Sequence, residues 1–496
     1  MQNKYRLLAC AAGMAVMLAG CSFFHTDSTE PSIQQAPTEI VQEGPENPAG
    51  EAVQDIPGNR AEKITDETPE NPAEEAEQKT PENPAGEIAQ KTPENPAEKI
   101  MQETPNNHAE ETEQEAIVQS FLDKMSLEDK VAQLFIIYPE MLVPEVDRVT
   151  AAGKMSREAF DRRPVGGLIY MRQNLESKEQ VQTMFSNFQE ISLARTGLVA
   201  LLCVDEEGGT VTSVGGTESL GIPRIEHMAE IGEKNQPDEA FRMGEFVGGY
   251  LAELGFNVDF APVADVLSNP ENNVVKKRSF GADPALVTAM AAAFSDGLQS
   301  KGILSAYKHF PGHGATAGDT HKGYSYTEKT LEELKACELI PFADGVQREV
   351  PLMMIGHISL PEVVGDDTPA SLSPYIVNTL LREEMGYDGI IVTDALAMGA
   401  IVREYSSDDA AVKALEAGAD ILLLPENFEL AYQGVLNAVH EGRVSEQRID
   451  ESLRRIIRQK LRLKENMQTA GQQNQDTESE GEETAEKFIQ EEERKQ

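Results

Sequence analysis

Cysteine is scarce in this sequence, which has only four cysteines in 496 residues. Cys10 and Cys21 stand near the start, so only Cys203 and Cys337 remain for the rest of the chain. No cysteines have the close spacing that structural zinc sites use. The sequence therefore predicts no metal site and two free thiols rather than a disulfide.

Positive charge is also scarce: the sequence has 43 Lys and Arg residues against 85 Asp and Glu residues, which gives a net charge of −42. The middle of the chain, residues 115–464, still carries about −20. A surface this acidic argues against nucleic acid as a partner. No Gly-x-Gly-x-x-Gly pattern follows the first predicted strand, and this weakens a nucleotide-binding interpretation.

Long hydrophobic runs are missing, and the apolar run in residues 1–21 is too short for a comfortable membrane span. Lys4 and Arg6 precede it, and Leu-Ala-Gly-Cys ends it at Cys21. This order is typical of an export signal, and its end resembles a bacterial lipobox. We expect cleavage before Cys21, acylation of its thiol and an extracytoplasmic protein held to the membrane by a lipid anchor. An ordinary signal peptide or an uncleaved anchor is the alternative.

Residues 22–114 repeat the motif Pro-Glu-Asn-Pro-Ala with a period of twelve. The segment has few apolar residues, so it cannot bury enough surface to offset the entropy of the chain. We predict a disordered stalk rather than a solenoid, because no repeat has a hydrophobic face to stack. The acidic tail at 465–496 is also predicted to be disordered.

Between the stalk and the tail, short apolar runs alternate with amphipathic stretches of helical period. Continuous apolar strands separated by helices indicate a parallel sheet that is covered on both faces. Eight strands in residues 115–464 favour a (β/α)8 barrel of the TIM type, with an open doubly wound sheet as the alternative. The predicted strands are Leu134–Ile137, Gly167–Met171, Val199–Val204, Val258–Ala261, Ile303–Tyr307, Leu352–Ile355, Gly389–Thr393 and Asp420–Leu424. The predicted helices include Ser177–Ala194, Pro237–Leu254, Pro284–Lys301 and Leu331–Gln347.

The densest group of polar residues is Lys-His-Phe-Pro-Gly-His-Gly at 308–314, followed by Asp319 and His321. Its proline and glycines disfavour a helix, so we expect a sharply turning loop that displays reactive side chains. Further polar groups follow other predicted strands: Asp205, Asp265, His357 and Asp394. Because functional groups of a barrel collect at the carboxyl ends of its strands, these residues predict one pocket lined by carboxylates, imidazoles and a lysine.

Five motifs in this order resemble glycoside hydrolase family 3, most closely its β-N-acetylglucosaminidase branch. They are Asp205-x-Glu-Gly-Gly, Arg278-Ser-Phe-Gly, Lys308 to Gly314, Asp319-x-His321 and Val392-Thr-Asp394-Ala-Leu-Ala-Met398. The resemblance covers the middle region but not the stalk or the tail. We do not expect the second αβα domain that many members of the family carry.

The resemblance implies a retaining double displacement. Asp394 is then the nucleophile, and His321, oriented by Asp319, is the general acid and base. A histidine suits both proton transfers because its ordinary pKa is about 6.5. Asp205, Arg278, Lys308 and His309 match the positions at which the family holds the sugar. Each of these residues could also have a purely structural role, such as an ion pair between Arg278 and Asp283.

One departure from the family pattern concerns specificity. The family often continues Glu-Gly-Gly with Arg-Val-x-Arg, where the second arginine commonly contacts the sugar, and this chain has Thr210 and Ser213 instead. We expect an exo-acting hydrolase that needs no cofactor and removes terminal β-linked N-acetylglucosamine, with peptidoglycan fragments as the source. A β-glucosidase, a β-xylosidase, a phosphorylase on the same fold and a non-catalytic sugar-binding lipoprotein are the alternatives.

Overall fold

The computed structural model describes residues 105–318 and 325–468. Eight parallel strands lie in one sheet: β1 Phe135–Ile137, β2 Gly167–Ile169, β3 Leu201–Val204, β4 Val258–Asp259, β5 Leu304–Phe310, β6 Leu352–Ile355, β7 Ile390–Thr393 and β8 Leu422–Leu423. All of these residues are buried, as the continuous apolar runs predict. Each of the eight predicted strands is therefore confirmed, with ends that differ by a few residues.

The sheet closes on itself. Strands β1 to β7 pair in chain order, and β8 pairs with β1. A parallel bridge between Val392 and Ile421 joins β7 to the residue that precedes β8. The structure therefore confirms the (β/α)8 barrel and excludes the open doubly wound sheet, which would have two free edges.

Helices surround the barrel. Those of eight residues or more are Pro105–Leu122, Lys154–Arg162, Lys178–Thr196, Pro237–Leu254, Pro284–Gln299, Leu339–Gln347, Ser407–Ala417, Phe428–His440 and 446–468, with a π-helix at Tyr375–Glu384. Shorter helices are Leu127–Ala132, Pro139–Leu142, Met228–Glu233, Leu331–Lys335, Pro361–Val364 and Gly399–Val402. None of the helices in the described ranges is both long and apolar enough to cross a bilayer.

The predicted helix Leu331–Gln347 is interrupted between Lys335 and Leu339. Pro341 explains the interruption, because its ring nitrogen cannot donate the hydrogen bond that a continuous helix would place on the carbonyl of Cys337. Cys337 accordingly lies in a turn rather than in a helix. Cys203 lies within β3, and both cysteines are free thiols, as predicted.

Two neighbouring helices, Pro237–Leu254 and Pro284–Gln299, pack with their backbones in close contact. A Cβ atom on Gly244 would lie 2.1 Å from the carbonyl oxygen of Phe294, and one on Gly297 would lie 2.3 Å from that of Phe241. No other residue type fits at either position without separating the helices. The helix Pro284–Gln299 of this pair packs against β5, the strand that carries Lys308 and His309.

The first described helix, Pro105–Leu122, begins ten residues before position 115, where the barrel region was expected to start. Glu115 of this helix pairs with Arg454 and Arg458 of the helix 446–468, contacts that composition alone does not reveal. That last helix passes the expected boundary at 464. Residues 1–104, with the expected signal and Cys21, and residues 469–496 lie outside the described residues.

Candidate active site

A cavity of about 440 Å³ opens at the carboxyl ends of the strands, where the barrel fold predicts function. Asp205, Arg278, Lys308, His309 and Asp394 all line it. The structure therefore brings together the five catalytic and sugar-holding candidates that it describes, whereas Asp265 and His357, also expected in the pocket, are fully buried and do not line it. Asp319 and His321 lie outside the described residues, although Gly318 and Ser325 on either side of that gap pair with each other.

Strand β5 supplies two consecutive residues to the cavity, which a regular strand would not do. Met354 of β6 pairs with Lys308 and Ile355 pairs with Phe310, so His309 has no partner in the register. A bulge of this kind can turn a side chain toward the face of its neighbour. Lys308 and His309 thus belong to β5 itself rather than to the loop that the sequence predicted.

Four side chains form a network of ion pairs that we call the clamp: Asp205, Glu207, Arg278 and Lys308. Arg278 donates to both carboxylate oxygens of Glu207, at 2.7 Å each. Lys308 Nζ lies 2.6 Å from Glu207 Oε1 and 2.7 Å from Asp205 Oδ1. The structural alternative for Arg278, an ion pair with Asp283, is not observed, and the Asp283 side chain instead accepts a hydrogen bond from Ala285 N.

In the clamp, burial and neighbouring charges shift the pKa values of Glu207 and Lys308 in opposite directions. Burial alone would raise the pKa of Glu207, but Arg278 and Lys308 outweigh it and lower that pKa to about 2. Burial alone would lower the pKa of Lys308, but Asp205 and Glu207 raise it above its ordinary value. Glu207, Arg278 and Lys308 are therefore charged at neutral pH and present fixed charges to the cavity.

Glu207 is a site residue that the sequence analysis missed. Residues alternate between two faces in an extended segment, so Asp205 and Glu207 share one face and Glu206 takes the other. Glu206 accordingly points away and accepts the N–H groups of Ser213, Val214 and Gly215. Two arguments could have identified Glu207. The alternation of side chains places it on the same face as Asp205, and the buried cations Arg278 and Lys308 require a counter-charge.

His309 is held by Asp265, a buried carboxylate that follows β4. His309 Nδ1 lies 2.7 Å from Asp265 Oδ2, and its Nε2 lies 3.3 Å from Arg278 Nη2. A guanidinium can only donate, so Nε2 must accept and Nδ1 must carry the hydrogen that Asp265 accepts. Asp265 also accepts the backbone N–H of His313, and burial with the neighbouring His309 lowers the pKa of the His313 ring to about 4.

Asp394 follows β7 and is partly exposed to the cavity. Its Oδ1 accepts the N–H of Ala395 at 2.7 Å. Burial alone would raise its pKa, but the His309 and His357 rings, the Ala395 N–H and Lys308 together hold that pKa below its ordinary value. Asp394 is therefore an ionised carboxylate that lines the cavity.

Apolar side chains complete the cavity, and three of them, Ala395, Ala397 and Met398, belong to the motif that contains Asp394. Other apolar lining residues belong to none of the five motifs: Met354 lies in β6, and Tyr138, Met171, Val211, Val274 and Leu424 come from segments that follow strands. His357, expected at the wall, lies behind Asp394 instead. Thr210 is exposed and Ser213 is buried, and neither lines the cavity.

Replacing Glu207 by glutamine should lower kcat/KM by about 10²- to 10³-fold, because two buried cations lose their shared counter-charge. Asp420→Asn is the matched control, since Asp420 is a buried carboxylate with arginine partners at the opposite end of the barrel. Both variants should lose thermal stability, but only Glu207→Gln should lose activity per folded molecule. Equal activity losses in the two variants would show that the clamp has no role beyond folding.

The same variant has a pH signature. The folded-state pKa of Glu207 is about 2, below its ordinary value of 4.5, so its ionisation stabilises the protein above about pH 4.5. That contribution is lost as pH falls toward 2. The difference in melting temperature between wild type and Glu207→Gln should therefore shrink across this range.

Comparison with known proteins identifies relatives of the whole barrel. Residues 126–459 match the family model described as the N-terminal domain of glycosyl hydrolase family 3. Beta-hexosaminidase LpqI of Mycobacterium tuberculosis is 33% identical over 349 residues, which are 68% of this chain and 83% of that protein. Beta-hexosaminidase A of Pseudoalteromonas piscicida is 30% identical over 327 residues, which are 62% of this chain but only 55% of that longer protein.

Solved structures agree with the sequence relatives. A glycoside hydrolase family 3 beta-N-acetylglucosaminidase from Paenibacillus sp. superposes with a TM-score of 0.63 at 34% identity, covering 68% of this chain and 63% of that one. The structure of M. tuberculosis LpqI gives 0.60 at 30% identity and covers 69% of this chain and 96% of that one. In residues 105–318 and 325–468, no group of His, Cys, Asp and Glu is arranged to hold a metal ion.

Proposed function

Because the chain belongs to glycosyl hydrolase family 3, we propose that it is a retaining exo-β-N-acetylglucosaminidase. It would release a terminal, non-reducing, β-linked N-acetylglucosamine and need no cofactor. The observation that carries this proposal is the placement of Asp394, an ionised carboxylate that lines the same cavity as the clamp. The names of the relatives, beta-hexosaminidase and beta-N-acetylglucosaminidase, support the choice of sugar.

In the proposed first step, Asp394 attacks the anomeric carbon and the bond to the leaving oxygen breaks. The Ala395 N–H engages Oδ1, so Oδ2 is the oxygen assigned to the attack. His321 gives its proton to the leaving oxygen, and a glycosyl ester of Asp394 results. An ionised carboxylate suits this step, since it also stabilises the positive charge that develops on the sugar ring.

In the second step, the neutral His321 takes a proton from water, and the resulting hydroxide equivalent attacks the same anomeric carbon. The ester bond to Asp394 breaks, the sugar leaves with its original β configuration, and His321 is again protonated. Asp319 would orient the imidazole and stabilise its cationic form. Two displacements at one carbon explain why the configuration is retained.

The clamp and His309 would bind the sugar hydroxyl groups. Asp205 has the most exposed side chain of the clamp, at 31%, so it is the member placed to contact a ligand directly. Glu207 is only 1% exposed and acts by fixing Arg278 and Lys308. Fixed charges of this kind cost no reorganisation when the transition state forms.

A panel of nitrophenyl sugars tests the choice of substrate. We expect kcat/KM on the β-N-acetylglucosaminide to exceed that on the β-glucoside and the β-xyloside by at least about 10²-fold, because a site built for an amide is left unsatisfied by a hydroxyl. A strong preference for the glucoside would overturn the choice of sugar. A sugar phosphate formed in phosphate buffer would indicate a phosphorylase, and no turnover of any β-glycoside would indicate a binding protein.

The source of the substrate is a separate part of the proposal. We place the protein outside the cytoplasmic membrane, anchored through a lipid on Cys21 and facing the cell wall, with peptidoglycan fragments as its substrate. The support is the lipobox-like end of the first 21 residues. Incorporation of labelled palmitate that Cys21→Ser abolishes would test the anchor, and equal incorporation in that variant would refute it.

A further inference from the structure

His357 lies directly behind Asp394 and does not line the cavity. It follows β6 by two residues, and its side chain is fully buried. Its Nδ1 lies 2.7 Å from the hydroxyl oxygen of Ser371, and its Nε2 lies 2.9 Å from the carbonyl oxygen of Ala395. The ring therefore contacts the backbone of the residue that follows the proposed nucleophile.

The partner of Nε2 determines where a hydrogen sits on this ring. A carbonyl oxygen can only accept, so Nε2 must carry a hydrogen and donate it to Ala395. Ser371 is fully buried in the turn Ala370–Leu372. Its hydroxyl can donate to an unprotonated Nδ1, and this contact fixes both the tautomer and the rotation of the ring.

Ala395 is held on both sides. Its N–H donates to Asp394 Oδ1 at 2.7 Å, and its carbonyl accepts from His357 and from the N–H of Met398, each at 2.9 Å. The N–H of Asp394 donates to the carbonyl of Ile355 in β6. The orientation of the Asp394 carboxylate thus depends on a turn that β6 and His357 hold in place.

We propose that His357 and Ser371 form a positioning pair that fixes the turn after β7, so that Asp394 presents one carboxylate oxygen to the anomeric carbon. This inference rests on the proposed function, because it takes Asp394 as the nucleophile. Reacting groups must be held to within about 0.5 Å to be effective. A displacement of about 1 Å can cost about 10²-fold in rate.

The test compares two replacements of the same ring. His357→Leu removes both hydrogen bonds in a similar volume and should lower kcat by about 10²-fold, with KM changed less than about twofold because no sugar-contacting residue is altered. His357→Gln keeps an amide N–H that can reach Ala395, and it should recover kcat to within about tenfold of wild type. Ser371→Ala should lower kcat by a smaller factor, about five- to tenfold, because the ring loses only its rotational lock.

Ser295→Ala is the matched control for Ser371→Ala. Ser295 is also a buried serine, and its hydroxyl pairs with that of Ser305 at 2.7 Å, away from the cavity. This control should lose a similar amount of thermal stability and keep the wild-type kcat. A His357→Leu variant with wild-type kcat would overturn the proposal, and so would a His357→Gln variant as impaired as the leucine variant.

A second readout does not need turnover. The measurement is a ¹⁵N spectrum of the uniformly labelled full-length protein at neutral pH. The ring signals of His357 are assigned by their loss in His357→Gln, and they should show a hydrogen on Nε2. An Nε2 without a hydrogen would overturn the positioning role. If Asp394→Asn keeps full activity, the proposed function fails, whereas an inactive Asp394→Asn beside a wild-type-like His357→Leu refutes only the inference about His357.

Discussion

Asp394→Asn is expected to reduce kcat by at least about 10⁴-fold while the protein still binds N-acetylglucosamine. The amide is a poor nucleophile, and it cannot balance the positive charge that develops on the sugar ring. Its carbonyl oxygen can still accept the Ala395 N–H that Asp394 Oδ1 accepts now, so the turn should keep its shape. Single-turnover kinetics and calorimetric titration with N-acetylglucosamine measure the two properties separately.

Asp420→Asn is the control for this substitution, because it also neutralises a buried carboxylate near a strand of the barrel. We expect that control to be less stable but active. Mass spectrometry must first confirm that the Asp394→Asn sample contains no deamidated protein. If its turnover is then within about tenfold of wild type, Asp394 is not the nucleophile. Equal losses of sugar binding and kcat would instead point to a collapsed cavity.

His321→Gln is expected to lower kcat by about 10²- to 10⁴-fold on a natural disaccharide, because the leaving oxygen then departs without a proton. The loss in the first step should be much smaller for a dinitrophenyl glycoside, whose leaving group needs no protonation. Hydrolysis of the intermediate would still lack its base, so the glycosyl-enzyme should accumulate. A fast release of dinitrophenol followed by a slow steady state would report this accumulation.

His440→Gln is a suitable control, since His440 is an exposed histidine at the end of the helix Phe428–His440. It should behave as wild type with both leaving groups. If His321→Gln and His440→Gln both keep the wild-type rate, His321 belongs to an ordinary surface pair with Asp319. A first step that is slowed equally for both leaving groups would assign His321 to binding rather than to proton transfer.

Much of the fold could be predicted because strands that are buried on both faces have mostly apolar residues in sequence. All eight barrel strands coincide with short, mostly apolar runs, and the sequence predicts each of them. The prediction of one continuous helix over Leu331–Gln347 was wrong, because the hydrophobic period continues through Pro341 although the helical backbone does not. The start of the helix at Pro105 could not be predicted, because its support includes contacts of Glu115 with residues more than 300 positions later.

The candidate site was predicted in part for a related reason. Residues at strand ends converge by the geometry of the barrel, so Asp205, Lys308, His309 and Asp394 could be grouped together. Glu207 and the positioning role of His357 were missed because their partners are distant in sequence and their contacts depend on side-chain direction. The apolar wall follows no motif at all, since any side chain of suitable size can fill it.

The most direct measurement is to trap the covalent intermediate with a slowly hydrolysed fluorinated N-acetylglucosamine donor and to locate the label by peptide mass spectrometry. The account predicts one sugar per protein molecule, attached to the peptide that contains Asp394, and no label in Asp394→Asn. A sugar attached to any other residue would contradict it. Turnover that inverts the anomeric configuration and leaves no labelled peptide would contradict it as well.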